Sequence, residues 1–409
     1  MEQEYKRMKI LFLTAAYWPA QDGVSVVTQY LAEGLAKRHE VSVLATRREY
    51  PREEEHEGVK IQRIEAKRSM WTCIFQGEKK RARDYIEQYQ PDMLLVVGIQ
   101  TWCYDWFIKN LDSLPGKKML MTHGSSCLGE YRVWPKIKQI RVRRRILADL
   151  IDVNFERYWK KYQKSLPEGM AKFEVVSYLF EGEDLYEYMK RCGLRNSMIL
   201  ENATQDFFFD RKAYLVDESK ETVFINVSTY EERKNQKMIL RAYGETAQPG
   251  TRLVLIGSRK TEYYEELLEI KREIESIDTF AGKIEMHVGI PREQVLEIYT
   301  SADVYVSASS WEAMSISLCE AAAGGLLILS TDVGHVSQIP GVQLFETEEE
   351  LKGLMREACR DTEKRRKCGR LSYEYAEENY RIQRKVDLLE EKLIEMCDGK
   401  KTLCLEDMV

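Results

Sequence analysis

Short apolar runs alternate along the chain with stretches in which apolar residues recur every three or four positions. The runs at 8–16, 92–98 and 118–122 predict buried strands, because each is short and is bounded by turn residues. The stretch at 24–37 predicts a helix, with Val27, Leu31 and Leu35 on one face. This alternation predicts an α/β fold with parallel sheets.

A second series of strands opens at 222–228, after a charged stretch at 210–221 that lacks an apolar period. The sequence therefore predicts two doubly wound domains, at residues 1–210 and 211–377. A final charged helix is predicted in 378–409. It carries one apolar stripe, formed by Val386, Leu389, Leu393 and Met396.

The composition narrows the class of protein. The 409 residues are 44% apolar and carry a net charge of −5, which argues against a nucleic-acid binder. Nine cysteines are scattered without a C-x-x-C pair, and five histidines without H-x-x-H, so no metal site is predicted. Neither a signal-peptide region nor an apolar run of about 20 residues stands out. We therefore expect a cytoplasmic protein with reduced thiols.

The stretch richest in candidate chemistry contains Glu312 and Glu320, with seven residues between them. Glu320 falls in a helix predicted at 316–323, which runs into glycines and an apolar strand. Ser315 is predicted to cap this helix, because its hydroxyl can accept a free backbone N–H. The positive helix end at Ser315 and Ile316 favours an anion such as a phosphate. The alternative interpretation is two solvated glutamates on a helix face.

Three loops carry further candidates. Arg233 and Lys234 lie between a predicted strand and a predicted helix, where cations can form a diphosphate site. Gly23 lies in the first strand-to-helix loop and can let a backbone N–H approach a ligand closely. His123 follows a strand at the ligand edge of the sheet, where an imidazole can bind a hydroxyl or carry a proton. A solvated loop, an ordinary turn and a structural histidine are the respective alternatives.

These motifs resemble those of the family-4 retaining glycosyltransferases. The resemblance covers about residues 8–397 and rests on Glu-x7-Glu, the small-residue helix and the turn at 331–334. It implies the GT-B fold, in which two Rossmann-like domains face a cleft and the last helix crosses back to the first domain. It also implies a metal-independent hexosyltransferase of polysaccharide biosynthesis, with a UDP- or GDP-sugar donor, no other cofactor, and a glycan or lipid-linked acceptor.

The resemblance implies a role for each candidate. Lys234 would stabilise the departing diphosphate, with Arg233 replacing a family arginine that aligns with Thr229. Glu320 would bind the ribose, Glu312 would orient the sugar, and His123 would contact the sugar or the incoming hydroxyl. The predicted catalytic residues are thus His123, Glu312 and Lys234, and the predicted donor-binding residues are Gly23, Arg233, Lys234, Glu312, Ser315, Ile316 and Glu320.

Several positions depart from the family pattern. They are Asp22, Ala203, Thr229, Ala313, Ser315, His335 and Gln338. Ala313 matters if the backbone there needs a positive φ, which alanine tolerates poorly. The departures raise an alternative from another class, a catalytically silent subunit that binds an acceptor or a partner enzyme. A nucleotide-sugar epimerase of the same fold predicts other acid/base residues, which the sequence does not show.

A basic cluster at residues 136–145 stands out in this acidic chain. It predicts either peripheral contact with the inner face of a membrane, a phosphate-bearing acceptor site, or simply a solvated helix. A nucleic-acid role is less favoured, because the cluster is isolated and has few interleaved aromatic residues.

Overall fold

The chain forms two compact units. The structure, a computed structural model, describes residues 7–70, 72–124, 146–210, 212–215 and 221–398. One unit consists of Met1–Leu200 with Lys385–Val409, and the other of Glu201–Arg384. The sequence had placed the corresponding boundaries at residues 210 and 377.

The first unit is built on an eight-stranded sheet and a separate hairpin. Its strands are β1 (Lys9–Leu13), β2 (Glu40–Thr46), β3 (Glu53–His56), β4 (Val59–Ile64), β5 (Ala66–Arg68), β6 (Phe75–Gly77), β7 (Met93–Val97), β8 (Lys117–Met121), β9 (Val175–Tyr178) and β10 (Ser197–Ile199). The sheet order is β10-β9-β8-β7-β1-β2-β4-β3, while β5 pairs only with β6. The sheet is parallel except for β3 on β4, and its strand order reverses between β1 and β7.

The helices of this unit connect successive strands. They are α1 (Gly23–Ala36), α2 (Lys79–Tyr89), α3 (Trp102–Asp105), α4 (Ile146–Met170) and α5 (Asp184–Arg191). Apart from the exposed Lys9 at the start of β1, the central strands are apolar, KILFL in β1 and MLLVV in β7, because helices cover both faces of a doubly wound sheet. Aromatic side chains such as Trp102 and Trp159 complete the core.

The second unit repeats this plan around a six-stranded sheet. Its strands are β11 (Thr222–Val227), β12 (Thr251–Gly257), β13 (Lys283–Val288), β14 (Val304–Ser307), β15 (Leu327–Ser330) and β16 (Gln343–Leu344). They lie parallel in the order β13-β12-β11-β14-β15-β16. The helices are α6 (Phe207–Asp210), α7 (Gln236–Thr246), α8 (Glu262–Glu275), α9 (Arg292–Ser301), α10 (Ile316–Ala323), α11 (Glu348–Arg360) and α12 (Thr362–Asn379).

The last helix, α13 (Ile382–Cys397), belongs mostly to the first unit. Its Val386 packs on Gly34 of α1 so closely that a Cβ on Gly34 would lie 2.4 Å from Cγ2 of Val386. Glu390 accepts a hydrogen bond from the buried His39 ring at 2.7 Å. The apolar stripe predicted for this helix is buried at Val386, Leu389, Leu393 and Met396.

Two elements of the first unit escaped the sequence analysis. The acidic run at 53–55 has no apolar pattern that would predict a strand, yet it forms β3, an antiparallel edge strand. Charged residues are common on edge strands, because they discourage pairing with other chains. The hairpin of β5 and β6 was also missed, because each strand has only three residues.

Candidate functional site

The strand order of the second sheet reverses between β11 and β14, which are hydrogen-bonded neighbours. In doubly wound sheets, ligands bind in the crevice outside the carboxyl ends of two such strands. Residues 228–235 follow β11 and residues 308–315 follow β14. The structure therefore places the loop of Arg233 and Lys234 and the loop of Glu312 at this switch point.

Lys234 and Glu312 form an ion pair between these two loops, through Nζ and Oε1. Their side chains are only 10% and 13% exposed. Burial lowers the pKa of the Lys234 ammonium, whereas the Glu312 carboxylate raises it. An ammonium group has three donors, so Lys234 can bind a further anionic oxygen beside Glu312.

Arg233 approaches the same carboxylate from its more exposed side. Its Nη1 lies 3.8 Å from Oε2 of Glu312, and its Nε donates to Glu231 at 3.0 Å. Thr229 stands where the family has an arginine, and its carbonyl accepts a hydrogen bond from Gln236 at 2.9 Å. Arg233 thus brings a second cation to Glu312 from a neighbouring position.

Hydrogen bonds from three sides hold the loop that carries Glu312. Ser309 donates from Oγ to Oε1 of Glu312 at 2.9 Å. The backbone N–H of Ser310 donates to the Arg233 carbonyl at 2.8 Å, which ties the two loops together. Thr331, after β15, donates to the Ser309 carbonyl at 2.7 Å. The loop that carries Glu312 is therefore tied to the loops on both sides of it.

Gly334 supports this loop from behind. Its φ is +62°, and a Cβ there would lie 2.1 Å from the Ala313 carbonyl oxygen and 2.7 Å from that of Glu312. Only glycine fits so close to a backbone in this conformation. Ala313 is not among the residues with positive φ, so its side chain causes no backbone strain.

The start of α10 differs in detail from the prediction. Ser315 occupies the N-cap position, but its side chain makes no capping hydrogen bond. Its Oγ instead pairs with Oγ of Ser317 at 2.9 Å, so the prediction that its hydroxyl caps the helix is wrong. The first turn, beginning at Ile316, therefore keeps the electrostatic preference for an anion that a helix start provides.

Glu320 lies inside α10 and is 1% exposed. It forms an ion pair with Arg292, the first residue of α9. Burial raises the pKa of Glu320, while Arg292 lowers it and thereby favours the charged carboxylate. The Arg292 guanidinium also lies over the ring of Phe208, at 5.2 Å from its centroid.

Sequence reasoning missed Arg292. The available signal was its position, since it follows β13 at the same carboxyl edge as the other candidate residues. Ser309 was missed as well, because a serine in a polar loop carries no signal of its own.

One departure from the family pattern, His335, and the residue before another, Asn202, have structural roles. Asn202, which precedes Ala203, donates from Nδ2 to the Met314 carbonyl at 2.8 Å and so supports the loop before α10. His335 is buried, its Nε2 lies 2.9 Å from the Tyr380 hydroxyl, and burial lowers its pKa to about 4. His335 is therefore neutral in the folded protein near pH 7.

The first unit holds the remaining two candidates, Gly23 and His123. Gly23 is the first residue of α1 and has no positive φ, so it does not use the conformational freedom of glycine. Asp22 caps α1, accepting from the backbone N–H of Ser25 at 3.1 Å, which places a negative charge at that helix start. His123 follows β8, is half-buried and has a φ of +50°.

The structure gives less information on the predictions about the basic cluster, metal binding and membrane contact. The basic cluster at 136–145 lies outside the described residues. Within the described ranges, no group of His, Cys, Asp and Glu side chains is arranged to hold a metal ion. In the same ranges, no helix combines the length and the apolar character that crossing a membrane requires.

Part of the chain matches a known protein family. Residues 207–375 match the family described as glycosyl transferases group 1. The second unit thus carries a glycosyl transferases group 1 domain, and the matched range includes Arg233, Lys234, Glu312 and Glu320. A search of curated protein sequences found no match.

Solved structures of similar fold cover nearly the whole chain. A sucrose-phosphate synthase from Thermosynechococcus elongatus is 14% identical, with a TM-score of 0.71, covering 96% of this chain and 100% of its own. HepE from Anabaena, in complex with UDP and glucose, is 12% identical, with a TM-score of 0.68 and coverage of 95% and 100%. A UDP-forming trehalose-phosphate synthase from Burkholderia xenovorans is 9% identical, with a TM-score of 0.64 and coverage of 95% and 99%.

The chain has the GT-B fold. Its two Rossmann-like units and these neighbours confirm the α/β architecture that the sequence predicted. The switch-point cluster of this GT-B chain, Lys234, Arg233 and Glu312, lies within the matched domain.

Proposed function

We propose that this chain is a retaining family-4 glycosyltransferase. It would move a hexose from a UDP- or GDP-sugar to a hydroxyl of a glycan or lipid-linked acceptor in polysaccharide biosynthesis, at the cytoplasmic face of a membrane and without a metal ion. The observation that carries the proposal is the convergence of Lys234 and Arg233 on Glu312 at the switch point of a glycosyl transferases group 1 domain. Similar structures that bind UDP or form it support a nucleotide-sugar donor.

The donor diphosphate would bind where the two cations meet. Lys234 has donors left beside Glu312, and Arg233 is 43% exposed, so both can turn to an incoming phosphate. The uncapped start of α10, at Ser315 and Ile316, favours the same negative charge. As the bond between sugar and phosphate breaks, charge builds on the diphosphate, and these groups would stabilise it.

Glu312 would change partners when the donor binds. In the structure its carboxylate balances both cations, a role that the diphosphate would take over. Ser309 and the backbone around Gly334 would keep the carboxylate in place, free to orient the hydroxyls of the sugar. Its low exposure gives it a defined position without a large ordering cost.

Glu320 would bind the ribose hydroxyls, because a charged carboxylate accepts two hydrogen bonds from a diol. We expect Glu320→Gln to weaken binding of UDP by about tenfold, and binding of 2′-deoxy-UDP by much less, since each hydrogen bond to a charged group contributes about 1.5–3 kcal/mol. If Glu320→Gln weakens the binding of both nucleotides equally, Glu320 does not bind the ribose.

The first unit would supply the acceptor side. His123 lies at the carboxyl edge of its sheet in a strained backbone conformation, which is typical of functional positions. Its imidazole would contact the transferred sugar or the incoming hydroxyl. Gly23 would contribute only its backbone, since Asp22 already caps the helix there.

The experiment is a donor-hydrolysis and transfer assay with purified protein and a panel of UDP- and GDP-hexoses. We expect turnover of one donor, a loss of about 100-fold or more in Lys234→Ala, and an α-configured product from an α-configured donor by NMR. Lys237→Ala is the matched control, because Lys237 is 30% exposed and pairs with Glu266 on the surface. Activity that persists in Lys234→Ala, or an inverted product, would contradict the proposal. Turnover with chelator present would support metal independence.

A second candidate is a catalytically silent subunit of the same fold. It is favoured by the ion pair that already occupies Glu320 and by the absence of an arginine at residue 229. This candidate predicts nucleotide binding without donor turnover, and a partner enzyme whose activity depends on the chain.

A further inference from the structure

We propose that the tip of the hairpin formed by β5 and β6 docks on an anionic phospholipid bilayer. The tip exposes two large apolar side chains, Met70 at 67% and Ile74 at 61%. Among the described residues, only Leu215 is another large hydrophobic with more than 60% exposure. Two such side chains on one turn form a local apolar projection.

The turn is ordered in a way that points these side chains outward. The backbone N–H of Ser69 donates to the Ile74 carbonyl at 3.0 Å, and that of Cys73 donates to the Ser69 carbonyl at 2.9 Å. Cys73 has a φ of +56° and is only 4% exposed. With this left-handed backbone conformation, the thiol of Cys73 is buried and the side chain of the next residue, Ile74, lies in solvent.

The base of the hairpin is attached to the core of its unit. The Arg68 guanidinium lies 5.7 Å from the ring centroid of Phe75 and 4.9 Å from that of Tyr158. The indole N–H of Trp106 donates to the Phe75 carbonyl at 3.0 Å. The apolar tip is therefore held on a rigid base, which lowers the ordering cost of binding a surface.

Basic residues outnumber acidic ones in the segment that carries the hairpin, although the protein as a whole is acidic. Six lysines and arginines but only two acids lie between residues 65 and 83, whereas the whole chain has a net charge of −5. Both acids are paired with arginines outside the segment, Glu65 with Arg47 at 3.3 Å and Glu78 with Arg52 at 2.9 Å. The local charge that faces solvent is therefore positive.

Three lysines supply most of this positive charge. Lys67, Lys79 and Lys80 are exposed and form no ion pair with any described residue. Lys79 opens α2 five residues after Ile74, so it lies within about 17 Å of the tip at most. Exposed lysines at this distance complement anionic headgroups, while the two apolar side chains enter the interfacial region.

The size of the patch favours a bilayer over a protein partner. A stable protein interface buries about 800 Å² on each side, which the exposed side chains of Met70 and Ile74 do not supply by themselves. A membrane surface needs only a few apolar anchors together with basic residues. The proposal rests on the first unit alone, and it is independent of the donor chemistry and of the basic cluster at 136–145.

The test is co-sedimentation of the full chain with vesicles of phosphatidylcholine containing about 30% phosphatidylglycerol, and with vesicles of phosphatidylcholine alone. The apolar variant is Met70→Asp with Ile74→Asp, and its matched control is Ile277→Asp, at a residue 52% exposed in the second unit. The charge variant is Lys79→Glu with Lys80→Glu. Melting temperature and UDP binding are measured for each variant.

We expect the wild type and Ile277→Asp to bind the anionic vesicles. Both double variants should bind at least tenfold more weakly, with unchanged melting temperature and UDP binding. Raising the salt from about 0.1 M to about 1 M should weaken wild-type binding, because the screening length shortens from about 10 Å to about 3 Å. The proposal is overturned if the wild type does not bind anionic vesicles, or if Met70→Asp/Ile74→Asp binds as tightly as Ile277→Asp.

Discussion

Arg292 forms an ion pair with Glu320 and leaves the two partners in unlike surroundings. The Arg292 side chain is 31% exposed, whereas that of Glu320 is 2% exposed. Glu320 therefore depends on Arg292 for its charge, while Arg292 has access to water.

This difference in exposure predicts that removing the Arg292 guanidinium costs more stability than removing the Glu320 charge. Arg292→Ala leaves a buried carboxylate without its cation and should lower the free energy of unfolding by about 3 kcal/mol or more. Glu320→Gln should cost only about 1 kcal/mol, because the arginine can turn to solvent and the amide still accepts a hydrogen bond. Urea unfolding measures both. Arg259→Ala, at a surface arginine 70% exposed, is the control and should be neutral. Equal costs for the two variants would refute the unequal dependence.

Gly334→Ala should disturb the loop that carries Glu312. The new methyl group would meet the Ala313 carbonyl at 2.1 Å, so the loop or the turn must move. We expect a loss of about 1–3 kcal/mol in stability and a clear drop in donor turnover. Gly353→Ala is the matched control, because no atom lies within 4 Å of its Cβ position in α11, and it should be neutral or slightly stabilising. Unchanged turnover in Gly334→Ala would show that Glu312 does not need this support.

The fold could be predicted from the sequence because its strands are short apolar runs between helical periods. The bounds of α10 agree with the prediction, and those of β1 and β7 differ from it by a few residues. The edge strand β3 could not be found this way, because EEEH has no apolar pattern and owes its structure to pairing with β4. Pairing with another strand cannot be deduced from the local sequence of β3 alone.

The residues of the candidate site could be predicted where a charged residue type lay at the end of a predicted strand. Glu312 and Lys234 lie at strand ends that the apolar runs marked, and the structure pairs them. The ion pair of Arg292 with Glu320 was not predictable, because it joins residues 28 apart whose proximity depends on the packing of two helices. The absence of a side-chain cap at Ser315 also depends on a neighbour, since Ser317 competes for the same hydroxyl.

His335 should make the second unit sensitive to acid. Its pKa is lowered from 6.5 to about 4 in the folded protein, so the unfolded chain binds the proton first as the pH falls. The free energy of unfolding should therefore decrease by up to roughly 3 kcal/mol between pH 6.5 and pH 4 from this group. His335→Gln cannot titrate, and its stability should fall less over the same range. Parallel pH curves for the two proteins would contradict this assignment.

Glu33 should lower the free energy of unfolding as the pH rises, which is opposite to the effect of His335. Burial raises its pKa from 4.5 to about 7, with a further contribution from Glu57, so the folded protein holds a proton that the unfolded chain releases. Stability from this group is therefore lost as the pH rises from 4.5 through 7. Glu33→Gln should raise the melting temperature at pH 8 relative to the wild type and leave it nearly unchanged at pH 5. A uniform effect at both pH values would show a packing effect instead of a titration.

The central claim is that the second unit binds a nucleotide diphosphate through Lys234. The most direct measurement is the melting temperature of the wild type, Lys234→Ala and Lys237→Ala with a panel of nucleotides that includes UDP and GDP. At 100 times its dissociation constant, a nucleotide should stabilise the wild type and Lys237→Ala by about 2.7 kcal/mol and leave Lys234→Ala almost unshifted. If no nucleotide shifts the wild type, or if Lys234→Ala shifts as much as Lys237→Ala, the proposed donor site is wrong.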